Sequence, residues 1–392
     1  MRIISVIHGL WGGGAERALC TLAGGWAEAG HEVTILTFEH VGGPSYALHP
    51  AVQVRCLGLA KVSRHLPEAL SQNYRRLRVL RRAIRESDPA IVVSFMERTN
   101  VLTLLATRGL GRAVVVSEQT DPLLYDIGRL WAWVRRVCYP FADVLVCPTA
   151  RTLARFQAMT RVRGVVIPNP IVIPSRAGQT SEKNSERRTL IAMGRLVHQK
   201  GFDLLLEAFA RIALRHPDWS LTIIGKGPLQ RKLQEQSAAL DLGARVHFVG
   251  ELTDPFPMLR AADLFVLSSR FEGFGMALAE AMACGLPVVS FDCPEGPRDI
   301  IHDGVDGILV PTEDINALAT ALGRLMNDPR ERARLGTEAA TLLTRFGPEP
   351  VLSIWQDMFD GLIAARLARK GAAETTIKSS AAKPDKPLGQ RQ

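Results

Sequence analysis

Short runs of apolar residues alternate with longer helical stretches along the whole chain of 392 residues. These runs are rich in Val, Ile and Leu and lack a polar residue at every second position, which is typical of strands buried on both faces of a parallel sheet. The pattern predicts strands at residues 3–7, 33–38, 52–57, 91–95, 114–117 and 144–147, and again at residues 190–193, 220–224, 246–249, 264–267, 287–290 and 308–310. It therefore predicts an α/β fold with two doubly wound, Rossmann-like domains that face each other across a cleft.

The chain contains more residues than one domain with a single hydrophobic core usually has, so two domains are expected. We predict an N-terminal domain at residues 1–170, a linker at 171–188 and a C-terminal domain at 189–349. A helix at about residues 350–368 is predicted to pack back on the N-terminal domain, and the tail at 371–392 is predicted to be disordered because it lacks periodicity. Ligands of open α/β sheets bind outside the carboxyl ends of the strands, so the cleft between the domains is the predicted site.

The composition and charge of the chain limit the classes of protein to which it can belong. No segment reaches 18 consecutive apolar residues, and the first residues lack the pattern of a signal peptide, so we expect neither a membrane span nor a leader. The six cysteines form no CxxC pair, which is typical of a reducing compartment such as the cytoplasm. The net charge is +9, and residues 1–175 carry all of it, with 21 Lys and Arg against 12 Asp and Glu. This asymmetry predicts an anionic partner for the first half: a membrane surface, a phosphorylated acceptor or nucleic acid.

One segment combines two carboxylates with a helix start. Residues 271–280, with sequence FEGFGMALAE, follow a predicted strand and lead into a helix, whose free N–H groups can bind an anion. Glu272 lies before this helix and Glu280 lies one turn inside it. A ligand with phosphates at one end and hydroxyls at the other, such as a nucleotide sugar, would suit both features. The spacing alone is weak, because about one such pair is expected by chance in a chain of this composition.

Glycines and cations follow two other predicted strands of the second half, at the same edge of the predicted sheet. Gly194 and Arg195 follow the first strand of the second half, and Lys200 precedes the next helix. Arg can bind a phosphate through two hydrogen bonds and Lys as a point charge, although a solvated surface pair is the alternative on this motif alone. Gly225 follows the next strand, in a turn that is either structural or close to a ligand. The glycines at the start of the first helix depart from the GxGxxG spacing, which argues against a nicotinamide cofactor.

Together these motifs resemble glycosyltransferase family 4, which consists of retaining enzymes with the GT-B fold. The resemblance extends over roughly residues 1–365 and is strongest at residues 190–312. It implies a UDP-sugar as co-substrate, no metal and no other cofactor. It assigns catalysis to Glu272, Arg195 and Lys200, with the two cations stabilising the diphosphate. It places the donor against Gly13, Gly14, Gly194, Arg195, Lys200, Gly225, Val249, Glu272, Gly273, Phe274, Gly275, Met276 and Glu280.

A narrower resemblance concerns the acceptor. Three segments that follow predicted strands, at residues 94–100, 116–122 and 293–300, resemble the subgroup that extends undecaprenyl-diphosphate-linked oligosaccharides, including bacterial N-acetylgalactosaminyl- and galactosyltransferases. This implies transfer of a hexose or N-acetylhexosamine, with GalNAc or Gal favoured, to a lipid-linked saccharide. Arg98, Asn100 and Glu118 would face the acceptor. A soluble or lipopolysaccharide-core acceptor is the alternative, and a sugar-nucleotide-binding module without activity is the non-enzymatic alternative.

Two surfaces of the basic half are candidates for an anionic partner. Arg75, Arg78 and Arg82 fall on one face of an amphipathic helix, opposite its leucines, where they could contact lipid phosphates or an acceptor pyrophosphate. An ordinary solvated face is the alternative. Residues 130–136, with sequence LWAWVRR, could lie at a membrane interface or pack in the core. We therefore predict peripheral association with the inner membrane surface. We predict no nucleic-acid partner, because the arginines are not interleaved with aromatic residues.

Overall fold

The computed structural model describes residues 1–11, 13–39, 48–59, 65–174 and 188–381 of the chain. The described residues form two separate parallel sheets, each flanked by helices, so the predicted α/β fold with two doubly wound domains is confirmed. Most of the predicted linker at 171–188 lies outside the described residues.

The N-terminal domain contains a sheet of seven parallel strands in the order β3-β2-β1-β4-β5-β6-β7. The strands are β1 Arg2–Ile7, β2 Glu32–Thr37, β3 Gln53–Cys56, β4 Ile91–Phe95, β5 Ala113–Ser117, β6 Val144–Cys147 and β7 Gly164–Val166. The helices are α1 Gly14–Glu28, α2 Leu66–Ser87, α3 Glu97–Thr107, α4 Arg129–Cys138 and α5 Ala150–Thr160.

The unbroken apolar runs arise because both faces of this sheet are covered. Successive side chains of a strand point to opposite faces. Ile3 therefore packs in the cluster that contains Trp26 of α1, whereas Ile4 packs in the cluster that contains Leu80 of α2. All of these side chains are almost completely buried.

The C-terminal domain repeats the arrangement with six parallel strands in the order β10-β9-β8-β11-β12-β13. The strands are β8 Arg188–Met193, β9 Trp219–Ile224, β10 Val246–Gly250, β11 Leu264–Leu267, β12 Val288–Phe291 and β13 Ile308–Val310. The helices are α6 Phe202–Ala213, α7 Gln230–Ala239, α8 Phe256–Ala261, α9 Met276–Ala283, α10 Pro297–Ile300, α11 Ile315–Asn327, α12 Pro329–Ala339 and α13 Leu343–Phe346.

The last helix, α14 Pro348–Ala381, crosses back to the N-terminal domain. The indole ring of Trp355 lies 5.3 Å from that of Trp26, centroid to centroid, and the side chain of Gln356 lies 2.8 Å from His31 Nε2. The helix also extends further than the sequence analysis predicted. Residues 371–381 belong to α14 rather than to a disordered tail, since no proline interrupts them and they continue an existing helix. Residues 382–392 lie outside the described part of the chain.

The two sheets face each other through their carboxyl edges. Thr149, which follows β6, and Thr152 donate hydrogen bonds of 2.8 and 2.9 Å to Glu295, which follows β12. The backbone of Gly273, which follows β11, lies against the carbonyl of Gln119, which follows β5. The loops that carry the predicted site residues are therefore brought together from both domains.

Candidate active site

Lys200 and Glu272 form an ion pair at the carboxyl edge of the C-terminal sheet. Lys200 Nζ lies 2.5 Å from Glu272 Oε1, and the same oxygen accepts a hydrogen bond of 2.6 Å from Ser269 Oγ. Both charged side chains are largely buried. The pair therefore places a cation and a carboxylate together at one wall of the cleft, next to the start of α9.

The backbone around Lys200 is fixed by the loop that carries Glu272. Gly201 has a φ of +60°, and a Cβ there would lie 2.0 Å from the carbonyl oxygen of Ser268, so only glycine fits. Ser268 Oγ donates a hydrogen bond of 3.0 Å to the carbonyl of Lys200. The amide of Gln199 donates to the carbonyl of Phe271 at 2.9 Å. The position of the Lys200 side chain is thus determined by contacts between two loops that are far apart in sequence.

Arg195 is exposed at the same edge and faces the N-terminal domain. Its charge lowers the pKa of Glu16 in the first turn of α1, although burial has the larger effect and raises that pKa overall. Gly194 lies against the aliphatic stem of Lys200, and Gly225 lies so close to Gly194 that a Cβ would be 2.0 Å from its carbonyl oxygen. Both glycines therefore permit close packing of the turns that follow β8 and β9.

Glu280 interacts with Arg17 of the opposite domain. Arg17 Nη1 donates to Glu280 Oε1, and only 4% of the Glu280 side chain is exposed. Burial raises the pKa of Glu280, and the charge of Arg17 and its hydrogen bond act in the opposite direction. The residue predicted to bind ribose is thus a buried carboxylate that a cation from across the cleft partly compensates.

The glycine-rich turn before α1 approaches the start of α9. A Cβ on Gly14 would lie 3.0 Å from Cγ of Met276, and one on Gly13 would collide with the carboxylate of Glu16. Gly13 is the N-cap residue of α1. The two helix starts, one from each domain, therefore border the same narrow part of the cleft, where both could contribute N–H groups to a diphosphate.

The other residues of the predicted donor site differ in how much of the side chain is accessible to a ligand. Phe274 is buried, with its ring perpendicular to that of Phe346 at 5.5 Å, so only its backbone can line a ligand. Gly275 has a φ of +99° and is the N-cap of α9. Val249 is partly exposed near the carboxyl end of β10. The donor roles of these residues stay predictions.

Asn100 and Glu118, which were predicted to face the acceptor, bind one another and their neighbours in this structure, and their role towards an acceptor stays a prediction. Both side chains are completely buried. The Asn100 amide donates hydrogen bonds of 3.0 Å to the carbonyl of Ser117 and 3.2 Å to the hydroxyl of Tyr139, and it accepts one of 2.8 Å from Ser94 Oγ. Tyr139 in turn donates to Glu118. The pattern identified polar residues after strands, but could not show that they bind one another beneath the cleft.

Glu118 has a strongly shifted pKa. Burial and, to a smaller extent, the nearby carboxyl of Glu97 raise the pKa of Glu118 to about 7, although the hydrogen bond from Tyr139 acts in the opposite direction. Desolvation and a like charge both disfavour the ionised form. Glu118 is therefore a buried group that titrates near neutral pH.

Arg98, in contrast, is exposed at the cleft side of the N-terminal domain. Its guanidinium lies 5.6 Å from the ring centroid of Trp131. Burial lowers the pKa of Arg76, and the charge of Arg98 lowers it further. Burial likewise lowers the pKa of His8, which directly follows β1; Glu39 opposes this effect, and Arg76 and Arg98 add to it. Arg76 and Arg98 thus form a cationic corner beside His8, and of these three residues the sequence analysis identified only Arg98.

Arg75, Arg78 and Arg82 are exposed on α2, on the face that the helical periodicity predicts. Arg82 Nε lies 2.6 Å from Glu86 Oε1, and this ion pair neutralises part of the positive charge of that face. Arg78 stacks over the ring of Tyr74 at 5.9 Å. Their role towards an acceptor stays a prediction.

A second polar cluster between the domains was missed altogether. Glu295 is buried, accepts hydrogen bonds from Thr149 and Thr152, and lies 3.2 Å from Arg155 Nη1. Arg155 also pairs with the buried Asp121. The only signal in the sequence is the glutamate after a strand in the segment 293–300, which does not reveal partners almost 150 residues away.

Among the described residues, no helix is both apolar and long enough to span a membrane. In the same part of the chain, no three or more His, Cys, Asp and Glu side chains are grouped as they would be to hold a metal ion.

Comparison with known proteins identifies the family to which this chain belongs. Residues 12–173 match the family described as Glycosyltransferase Family 4, and residues 176–341 match Glycosyl transferases group 1. The chain is 30% identical over 340 residues to a Campylobacter jejuni enzyme, covering 86% of this chain and 92% of that protein. The chain belongs to glycosyltransferase family 4. That relative is named GalNAc-alpha-(1->4)-GalNAc-alpha-(1->3)-diNAcBac-PP-undecaprenol alpha-1,4-N-acetyl-D-galactosaminyltransferase.

Solved structures of other proteins have the same fold as this glycosyltransferase. Sucrose-phosphate synthase from Thermosynechococcus elongatus superposes with a TM-score of 0.80 at 20% identity, covering 93% of this chain and 99% of that chain. Anabaena HepE in complex with UDP superposes with a TM-score of 0.72 at 19% identity, covering 92% and 100%. The family and the two facing sheets together establish a hexosyltransferase with the GT-B fold.

Proposed function

We propose that this glycosyltransferase moves a hexose or N-acetylhexosamine, with GalNAc or Gal favoured, from a UDP-sugar to a lipid-linked saccharide with retention of the anomeric configuration. The observation that carries the proposal is the arrangement around the start of α9. There the pair formed by Lys200 and Glu272 lies on one side, and Glu280 with Arg17 lies on the other. A ligand with a sugar at one end, a diphosphate in the middle and a ribose at the other end fits this order of groups.

The cations of the site would stabilise the leaving group. When the bond between the sugar and the phosphate breaks, negative charge develops on the diphosphate, next to Lys200, Arg195 and the N–H groups that open α9. A preorganised cation of this kind contributes about 3 kcal/mol to lowering the barrier. These groups would take the place of a divalent metal, so the reaction as proposed requires none.

The contacts of Glu272 support retention without a glycosidase-like nucleophile. Lys200 and Ser269 both bind the same carboxylate oxygen, which makes this group a weak nucleophile but leaves it able to accept hydrogen bonds from sugar hydroxyls. In the proposed step, the acceptor oxygen attacks the anomeric carbon from the side of the leaving group. As the bond from that carbon to the phosphate oxygen breaks, the acceptor proton passes to the departing diphosphate.

The N-terminal domain would supply the acceptor site. Arg76 and Arg98 form a cationic corner there beside His8, and residues 1–175 carry the whole net charge of +9. The Campylobacter jejuni relative is named for an undecaprenol-linked acceptor. We therefore propose a lipid-linked acceptor, with the enzyme peripherally associated with the cytoplasmic face of the membrane.

A lipopolysaccharide-core acceptor is the second candidate. The chain is 32% identical over 235 residues to the lipopolysaccharide core biosynthesis glycosyltransferase LpsE of Rhizobium meliloti, covering 58% of this chain and 67% of that protein. A soluble saccharide acceptor would use the same donor site. Transfer assays with one acceptor of each class separate these candidates.

The experiment begins with a thermal-shift panel of UDP-Gal, UDP-GalNAc, UDP-Glc and UDP-GlcNAc, because a ligand that binds only the folded state raises Tm. The best donor is then incubated with a lipid-linked, a lipopolysaccharide-core and a soluble acceptor, with and without EDTA. The linkage in the product is assigned by NMR. We expect an α-linked product on the lipid-linked acceptor, formed equally well in EDTA. An inverted linkage or loss of activity in EDTA would contradict the mechanism, and transfer only to another acceptor would contradict the acceptor class.

A further inference from the structure

Helix α4 exposes large apolar side chains on its outer face. Leu130, Trp133 and Val137 are 66%, 63% and 46% exposed, and at 100° per residue they lie within an arc of about 60°. Phe141, in the turn that follows the helix, is 50% exposed. The opposite side of the helix is packed, since Arg135 and Cys138 are buried. The apolar strip is therefore a second face of a helix that already has an inner contact, and packing within the domain does not account for it.

Helix α3 lies beside α4 and extends the same surface. Arg98 at its start stacks on Trp131 of α4, and Arg108 just after its end lies 3.8 Å from the ring centroid of Phe141. Leu105, between them on α3, is 40% exposed. We call the outer surface of these two helices, with the turn at residues 139–141, the α3–α4 face. It runs from the cleft, at Arg98, towards the amino edge of the sheet.

The charges of the α3–α4 face have one sign. Arg98, Arg108, Arg129 and Arg136 are all exposed. Residues 129–142 contain no Asp or Glu, and the one acidic residue of α3, Glu97, is buried. A second copy of this chain would have to bury four like charges against their equivalents. An anionic bilayer instead offers phosphates to the arginines and acyl chains to the apolar strip, and interfacial tryptophan with flanking arginine is typical of such contacts.

We propose that the α3–α4 face is the surface by which this protein lies on an anionic phospholipid membrane. Leu130, Trp133, Val137 and Phe141 enter the interface, and Arg108, Arg129 and Arg136 contact lipid phosphates. The cleft end of this face, marked by Arg98, then lies at the membrane surface, where a lipid-linked substrate is presented. The placement extends the proposed acceptor class, but the tests below do not use transfer as a readout.

The test is flotation of the full chain with vesicles of phosphatidylcholine alone and of phosphatidylcholine mixed with phosphatidylglycerol. We expect binding to the mixed vesicles that weakens with added salt. Trp133→Ser is expected to weaken it about tenfold or more. Its matched control is Leu214→Ser, because Leu214 is 94% exposed at the end of α6 in the other domain. Arg129→Gln and Arg136→Gln are each expected to weaken binding about fivefold, with Arg231→Gln on the exposed α7 as control.

Three results would overturn the proposal. The first is failure of the wild-type protein to float with the mixed vesicles, and the second is equal binding by Trp133→Ser and wild type. The third is a concentration-dependent dimer that Trp133→Ser abolishes in the absence of vesicle binding, which would make a second copy the occupant. Stabilisation by UDP is measured on every variant in parallel. In the wild type, a missing UDP shift contradicts the donor site and leaves the membrane surface standing, whereas a failure to bind vesicles with an intact UDP shift does the reverse. In Trp133→Ser, weakened vesicle binding with an intact UDP shift is the expected result.

Discussion

Arg17, in the first turn of α1, donates a hydrogen bond to the buried carboxylate of Glu280 in α9, and the two residues belong to opposite domains. The contact bridges the cleft at the position where the ribose of a bound donor is expected. A donor that binds Glu280 must therefore share this carboxylate with Arg17 or displace it. A ribose bound to Glu280 would therefore couple donor binding to the relative position of the two domains through this one contact.

Replacing Arg17 with Ala should make UDP binding more sensitive to acid. Burial already raises the pKa of Glu280, and loss of the Arg17 charge raises it further, so protonation begins at a higher pH. A protonated Glu280 accepts fewer hydrogen bonds from ribose. Calorimetric titration with UDP from mildly acidic to mildly alkaline pH should show affinity falling earlier, as pH decreases, in the variant than in the wild type. Arg17→Lys should restore most of the difference, and parallel curves for all three proteins would refute the coupling.

Lys200→Ala, Arg195→Ala and Glu272→Ala should abolish turnover while the fold stays intact. Loss of one preorganised charge-stabilising group costs about hundredfold to thousandfold in kcat. The rate of UDP release with donor and acceptor measures the effect, and thermal unfolding checks the fold.

Two variants on the exposed surface of α7 serve as controls for these rates. Arg231→Ala and Glu235→Ala each remove one partner of an ion pair that lies largely in solvent, so both should keep the wild-type rate. Wild-type turnover in Lys200→Ala or Glu272→Ala would remove the assigned roles.

Glu295→Gln should loosen the contact between the domains. Glu295 is buried between Thr149, Thr152 and Arg155, and removing one partner of a buried ion pair costs about 3–5 kcal/mol. Small-angle scattering should show a larger radius of gyration for the variant without UDP, because the cleft opens. Glu313→Gln is the matched control, since its partner Arg270 lies in the same domain. Equal radii for wild type and Glu295→Gln would show that this cluster does not hold the domains together.

Glu118 should make stability depend on pH around neutrality. Its pKa in the folded protein is about 7 against an ordinary value of 4.5, so the native state retains a proton that the unfolded chain has lost. The stability linked to this proton is full below pH 4.5 and is lost as the pH rises through 7, a difference of about 3 kcal/mol. Glu118→Gln should flatten the slope of unfolding free energy against pH in urea titrations, whereas the exposed Glu235→Gln should not. An unchanged slope in Glu118→Gln would refute the assignment.

The sequence predicted the parts of this protein that depend on local pattern. Apolar runs such as residues 91–95 and 264–267 identified strands buried on both faces, and the order of glycine, cation and carboxylate motifs identified the family. Segments such as 94–100 and 116–122 were also located correctly after their strands. The contacts of Asn100 and Glu118 with Tyr139 were not predicted, because periodicity does not reveal which polar side chains bind each other.

The two Rossmann-like domains, the helix starts and the residues at the carboxyl ends of the strands can all be predicted from the amino-acid pattern. The spacing of apolar residues and the residue types at turns depend only on residues that are close together in the sequence, so both can be read from it directly. Three contacts became visible only in the folded chain: Arg17 binds Glu280, Glu295 joins the two domains, and His8 and Arg76 lie near Arg98. These contacts depend on how two sheets and α14 are placed relative to each other, and residues as far apart as Arg17 and Glu280 carry no local signal of that placement.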